Sequence, residues 1–159
     1  MKIWYKNILL VYCIGGGFVT FSLIFQQSVG LLSNPSSLSL INISICLFFI
    51  TVSIYGIFCG LKIANNHSDY NRFLIWYLIP QIPIISIPTI SYYLRAGADF
   101  SIYAGSLDDY FSFGFFCNVG SILSFNIPNI SNSSLLYGIN LVPIFLILNN
   151  KKNMIGFNK

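Results

Sequence analysis

The sequence predicts an all-α membrane protein: four transmembrane helices in a bundle, with a short β-like extracytoplasmic segment between helices 3 and 4. Of the 159 residues, 55% are hydrophobic and only 8% are charged, whereas soluble domains carry about 25% charged residues. Four apolar stretches, at about 8–30, 38–61, 73–94 and 134–149, approach the roughly 20 residues that a spanning helix needs. No second polar region accompanies them, so residues 1–159 are predicted to form one domain.

The charged residues predict how such a bundle sits in the membrane. Seven basic residues fall on one predicted side, namely Lys2, Lys6, Lys62, Arg72, Lys151, Lys152 and Lys159. The other side has Arg95 alone, beside Asp99, Asp108 and Asp109. This asymmetry predicts cytoplasmic termini, and an inner (plasma) membrane location if the protein is bacterial. The apolar run that follows Lys6 continues to Phe25 without an A-x-A cleavage site, which favours an uncleaved first helix.

The stretch "YLIPQIPIISIPTISYYL", residues 77–94, contains three prolines within the predicted third span. Proline removes a helix hydrogen bond and crowds a carbonyl in the preceding turn, which predicts a kinked or partly unwound helix. The Gln81 amide is placed to donate to one of the freed carbonyls. A second kink is predicted in the fourth span, where a proline follows an asparagine by three residues. Six residues make up this candidate polar and kink site: Pro80, Gln81, Pro83, Pro88, Asn140 and Pro143.

Two interpretations of these six residues remain open. Broken helices at membrane depth form substrate and ion sites in transporters. Alternatively, the prolines only shape the bundle, and the amides hydrogen-bond between helices. None of the four predicted spans has an ionisable residue in its interior, which weighs against transport.

Two further patterns indicate packing or partner surfaces. Gly56 and Gly60 form a GxxxG motif, which favours either self-association or close helix packing within one chain. In the predicted outer segment, at about 95–133, Phe111, Phe113 and Phe115 alternate with smaller residues, as in a strand. These phenylalanines are predicted either to cover helix ends or to contact a partner. The neighbouring stretches "DFSIYAG" and "SILSFNI" alternate similarly, so a small antiparallel meander is expected.

The residue set predicts no enzyme, no cofactor and no metal site. His67 lies beside Asp69 in a polar loop, the adjacent Asp108 and Asp109 indicate a solvated turn, and the four cysteines form no CxxC motif. General acid–base chemistry requires such groups beside a substrate. The net charge of +4 includes no basic run, so a nucleic-acid partner is not expected.

The predicted function is therefore that of a small non-enzymatic accessory or interaction protein, acting by helix packing or through its outer segment. Its predicted partners are the lipid bilayer and either another membrane protein or further copies of itself. Two alternatives are an immunity-type protein that neutralises a membrane-directed toxin, and a small oligomeric transporter or channel that uses the proline-broken third helix.

Overall fold

Helices at both ends of the chain flank a six-stranded antiparallel sheet. The computed structural model describes residues 3–33, 40–87, 90–107, 110–119, 122–126 and 135–155. The helical elements are α1 (Ile3–Leu10), a π-helical segment (Val11–Gly15), α2 (Gly16–Ser33), α3 (Leu40–Ala64), α4 (Tyr70–Leu78), a 3₁₀ turn (Ile79–Gln81) and α5 (Leu141–Ile155). The strands are β1 (Pro83–Ile87), β2 (Ile90–Arg95), β3 (Ala98–Leu107), β4 (Tyr110–Val119), β5 (Ile122–Asn126) and β6 (Leu135–Asn140).

The architecture is a mixed α/β fold, so the predicted all-α, four-helix-bundle integral membrane protein is wrong. Among the described residues, two helices are long and apolar enough to cross a membrane, Ile3–Gln26 and Ile43–Ala64. These correspond to the first two predicted spans. They agree with membrane association by length and composition, and they do not support the predicted multi-pass topology with four spans.

The third and fourth predicted spans contain strands. The third is helical only as far as Leu78, and after the 3₁₀ turn it forms the β1–β2 pair. The fourth is divided between β6 and α5. Isoleucine and tyrosine dominate "PIISI" and "ISYYL", and β-branched and aromatic residues suit strands. An apolar window alone does not distinguish two adjacent buried strands from one spanning helix.

The predicted outer meander is also part of this sheet. The strand order is β4-β3-β6-β1-β2-β5, and all of the pairs are antiparallel. The β3–β4 pair agrees with the expected meander, but β5 pairs with β2 rather than with β4. The described residues between 95 and 126 therefore belong to the sheet rather than to a separate loop between two helices.

The first helical run, α1 through α2, packs antiparallel to α3 and forms a helical hairpin. At one end, Lys6 Nζ donates to the carbonyl of Ala64 at 2.9 Å. The main core lies beside this end and collects residues from both helices, from α4 and α5, and from the β2–β3 turn: Tyr5, Leu9, Tyr12, Cys13, Cys59, Ile63, Leu74, Tyr77, Leu78, Ala96 and Leu146. A second cluster, Ile24, Phe49 and Leu94, attaches the sheet to the other half of the hairpin.

The β2–β3 turn is pressed against the π-helical segment. Gly97 has a φ of +95°, a backbone conformation that L side chains rarely adopt, and a Cβ there would lie 3.3 Å from the Tyr12 ring. Gly16 is equally close to Ala96, since a Cβ on Gly16 would lie 3.0 Å from it. These close approaches bring the β2–β3 turn into contact with the middle of the first helical run, α1 through α2.

Candidate functional site

Gln81 is the centre of a buried hydrogen-bond network that joins three parts of the fold. Its side chain is fully buried. Its Oε1 accepts from Tyr12 Oη at 2.9 Å and from the Ala96 amide at 3.2 Å. Its Nε2 donates to the Tyr77 carbonyl at 3.0 Å. The π-helical segment, α4 and the β2–β3 turn are thereby connected through one side chain, which we call the Gln81 hub.

The hub forms where α4 gives way to the sheet. Proline at position 80 cannot donate to the helix ladder, and the helix tightens there into the 3₁₀ turn of Ile79–Gln81. Gln81 lies at the end of that turn and donates its side-chain amide to a carbonyl of the preceding turn. An amide donor to a freed carbonyl was expected here, but the acceptor is Tyr77 rather than a carbonyl directly crowded by a proline.

The other predicted kink residues have different positions. Pro83 is the first residue of β1, a place in a strand that tolerates proline. Pro143 lies in the first turn of α5, where a missing N–H leaves no ladder bond unmade. The second kink predicted at this proline is therefore wrong. Pro88 lies outside the described residues.

Asn140 caps α5 rather than lining a path. It is fully buried, and its Oδ1 accepts from the Val142 amide at 3.1 Å, as an N-cap residue does. The same oxygen accepts from the Phe100 backbone N–H at 3.4 Å, and the backbone N–H of Asn140 donates to the Ile82 carbonyl at 2.9 Å. Asn140 and Gln81 therefore belong to adjoining networks, and both side chains are buried.

A buried ion pair lies on the sheet, between two residues that were predicted as charges on the outer side of the membrane. Arg95 and Asp99 have side chains only 1% and 0% exposed, and Arg95 Nη1 donates to Asp99 Oδ2 at 2.9 Å. Tyr93 and Ser101 each donate a hydroxyl hydrogen bond to the same carboxylate. Phe116 covers the guanidinium, with its ring centroid 5.4 Å from Cζ. A carboxylate with these three donors is held in place as a hydrogen-bond acceptor.

Burial, followed by the hydrogen bond to Asp99, raises the pKa of Tyr93 to about 12. The Tyr93 hydroxyl is therefore neutral at physiological pH and acts as a donor. Tyr93 and Ser101 also line a shallow groove of about 380 Å³ on this face of the sheet. The feature of the sequence that could have indicated this network is the spacing of two opposite charges, Arg95 and Asp99, four residues apart.

The opposite face of the sheet exposes a row of phenylalanines at one edge. Phe111, Phe113 and Phe115 lie on β4 and are 79%, 68% and 73% exposed. The row continues across the sheet, because Phe115 pairs with Ile102, which in turn pairs with Ile139. These two isoleucines are also exposed. Of the two interpretations of the phenylalanines, helix-end packing does not agree with this exposure.

The strand that carries this row lies at the end of the sheet. β4 is hydrogen-bonded to β3 on one side, and no other described strand pairs with it. Its ten residues, "YFSFGFFCNV", include no charge and no proline. Natural edge strands are usually protected by such residues.

The GxxxG glycines face into the monomer. A Cβ on Gly56 would lie 2.5 Å from the Tyr77 ring, and Gly60 lies against Ile14 and Cys13. Both glycines therefore allow other parts of this chain to approach α3. Self-association through this motif stays a prediction.

The chain matches no protein-family model, no curated protein and no solved structure. The described residues contain no group of three His, Cys, Asp or Glu side chains placed to hold a metal ion. His67 and Asp69 form an exposed pair at 3.8 Å.

Proposed function

We propose that this protein is a non-enzymatic, membrane-associated interaction protein that binds an extended apolar segment of a partner protein along β4. The observation that carries this proposal is the exposed row of Phe111, Phe113 and Phe115 on an edge strand that no other described strand covers. Membrane association and partner binding are supported by different features and are argued separately.

Support for membrane association comes from the helical hairpin. Its two membrane-length helices have mean hydropathy of 2.2, yet only 39% and 28% of these stretches are buried within the chain. A core helix of a soluble protein would be mostly buried, whereas a helix that is apolar all round and uncovered by protein suits lipid. Large exposed residues occur along both helices, for example Phe18, Phe25, Leu47 and Phe58.

The orientation that we propose follows the basic residues. Lys6 and Lys62 lie at the same end of the hairpin, because Lys6 reaches the last residue of α3. Arg72 follows closely, in the first turn of α4. With both helices inserted, the positive-inside rule assigns this end to the cytoplasmic side.

Support for a protein partner comes from two requirements of β4: its edge backbone groups require hydrogen-bond partners, and its exposed phenylalanines require burial away from water. Water satisfies the free N–H and C=O groups of an edge strand but not a row of phenylalanines. Lipid covers phenylalanines but leaves those backbone groups unsatisfied, at several kcal/mol each. An extended peptide satisfies both, because it adds a strand and presents its own alternate side chains. The absence of charge and proline from β4 leaves this edge open to such pairing.

The test uses the full-length tagged protein, extracted from membranes of its host in mild detergent. Phe113→Lys places a charge in the row, and Ser112→Lys places the same charge on the opposite face of the same strand. Cys117, which is exposed on β4, reports coverage of the strand through its rate of reaction with a maleimide.

We expect a stoichiometric partner with the wild type and with Ser112→Lys, and slow labelling of Cys117 in native membranes. Phe113→Lys should lose the partner, since truncating or charging a central interface residue commonly costs 2 kcal/mol or more, about 30-fold in affinity. If the co-purified protein is a second copy of this chain, the result supports binding along the β4 edge, with that copy as the partner. Equal Cys117 labelling in native membranes and in the purified monomer would contradict the proposal.

A further inference from the structure

A second surface feature, separate from β4, is a long groove between α3 and α4. Its volume is about 880 Å³, and its walls include Phe48, Val52 and Trp76. At the start of α4 the lining becomes polar, with Ser68, Asp69 and Arg72. The groove is thus apolar along its length and charged at one end.

The dimensions and position of the groove match one leaflet of a bilayer. The nine residues of α4 rise about 14 Å at 1.5 Å per residue, and half of a bilayer's hydrocarbon core is about 15 Å. The groove follows α3, one of the two membrane-length helices, from Phe48 to Tyr55. Its polar end lies beside the end of α3 that carries Lys62, whose Nζ is 5.7 Å from the centroid of the Phe73 ring in the groove wall.

The charges at the polar end favour an anion. Arg72 is exposed and forms no ion pair within the described part of the chain, and the neighbouring Asp69 lies 3.8 Å from His67. Lys6 and Lys62 add positive charge to the same end of the hairpin. Basic residues at a membrane surface each contribute about 1 kcal/mol of attraction to anionic lipid.

We propose that this groove binds one anionic phospholipid, with an acyl chain along Phe48, Val52 and Trp76 and the headgroup phosphate at Arg72. This inference rests on the membrane association proposed above and is independent of the partner on β4. The bound lipid covers an apolar surface that the fold leaves open, and its headgroup occupies the cationic end.

The test measures phosphatidylglycerol retained by the purified full-length protein after exchange from an equimolar mixture with phosphatidylcholine, by native mass spectrometry. Val52→Trp fills the groove and should abolish the retained lipid. Ile54→Trp adds the same side chain to the other side of α3, where Ile54 is 55% exposed, and should retain it. Arg72→Gln should weaken phosphatidylglycerol binding about fivefold, and Asp69→Asn should not weaken it.

If Val52→Trp and the wild type retain equal amounts of phosphatidylglycerol, the lipid does not bind in the groove. If the wild type retains phosphatidylglycerol and phosphatidylcholine equally, the proposed preference for an anionic headgroup is wrong. A wild-type protein that remains soluble after lysis would instead remove the membrane association. Phe113→Lys should leave lipid retention unchanged, because β4 does not line the groove.

A second measurement leaves the apolar groove residues intact in case Val52→Trp does not fold. The chain has two tryptophans, Trp4 and Trp76, so Trp4→Phe leaves Trp76 as the single reporter in the groove. In phosphatidylcholine nanodiscs, brominated phosphatidylglycerol should quench Trp76 with saturation at a low lipid fraction. Arg72→Gln should move the midpoint about fivefold higher. Quenching that follows random lipid mixing in both proteins would overturn the proposal.

Discussion

Removing the Gln81 side-chain amide should destabilise the whole fold, because the Gln81 hub connects three elements. In Gln81→Leu, the Tyr12 hydroxyl and the Ala96 amide lose an acceptor, and the Tyr77 carbonyl loses a donor. Each buried polar group left without a partner costs about 1–3 kcal/mol. Three such groups give a lower bound of about 3 kcal/mol, and a chain of this size loses about 2–4 °C in Tm per kcal/mol. We therefore expect Tm to fall by about 6–12 °C.

A double-mutant cycle with Tyr12→Phe distinguishes the hub from a general packing defect. Tyr12→Phe alone removes one hydrogen bond, while Gln81 still accepts from Ala96, so a loss of about 1 kcal/mol is expected. In the Gln81→Leu background, the same change deletes a hydroxyl that already has no acceptor. It should then restore about 1 kcal/mol of the stability lost in Gln81→Leu, because it removes a buried hydroxyl that has no partner. The coupling between the two substitutions is therefore about 2 kcal/mol.

The assay is thermal unfolding of the four full-length proteins in one mild detergent, followed by circular dichroism. Two results would refute the reasoning. One is a Tm change below about 2 °C for Gln81→Leu, less than about 1 kcal/mol at this size. The other is additivity of the two substitutions within about 0.5 kcal/mol, the behaviour of independent sites.

Three other predictions concern the fold around the hub. Asn140→Ala should lower Tm by about 2–4 °C through loss of about 1 kcal/mol of N-cap stabilisation, whereas Asn140→Ser should retain most of it. Gly56→Ala should cost about 1–3 kcal/mol by overpacking, because the new Cβ would lie 2.5 Å from the Tyr77 ring; thermal unfolding measures this as well. Because burial raises the pKa of Tyr93 to about 12, its contribution to stability is fully present below pH 10 and is lost as the pH rises towards 12. Tyr93→Phe should reduce that alkaline loss in a pH series of unfolding curves, and an unchanged series would contradict the assignment.

The two long helices were predictable because their sequences are apolar without interruption. The stretches 8–30 and 38–61 contain no proline and no charge, so helix is the one regular structure that fits their length in lipid. The windows at 73–94 and 134–149 passed the same test of composition. Each instead contains strand residues that pair with other strands of the sheet, and pairing with distant strands is not visible in a local window.

The prolines distinguish the window at 73–94, which contains strands, from the two windows that form long helices. Three prolines within nine residues, from Pro80 to Pro88, were interpreted as kinks in a helix, although such spacing also fits the end of a helix and the boundaries of strands. The alternation seen after Asp99 predicted β3 and β4 correctly as strands, because period two is a local property. Their place in one sheet with β1, β2 and β6 depends on pairs far apart in sequence, such as Ile102 with Ile139.

The candidate site was predictable in part for the same reason. The donation by Gln81 to a carbonyl of its own helix is local, and the sequence analysis anticipated a bond of this kind. The bond to Tyr12 joins residues 69 positions apart, and nothing in a single sequence indicates it. Arg95 and Asp99 were counted as outer charges because their burial depends on Tyr93, Ser101 and Phe116 on three strands of the folded sheet.

The hydrogen bonding of the interior indicates where function is to be sought. Gln81 and Asp99 already use their acceptors on groups of this chain, so a substrate at either position would have to displace bonds on which the fold depends. The surfaces differ in this respect. The β4 edge presents apolar side chains and backbone groups that no other described strand pairs with. The α3–α4 groove presents apolar side chains and Arg72, which forms no ion pair within the described part of the chain. Binding there adds contacts without removing any. We therefore propose that this protein acts through these two surfaces, and the transporter and immunity-type alternatives stay predictions.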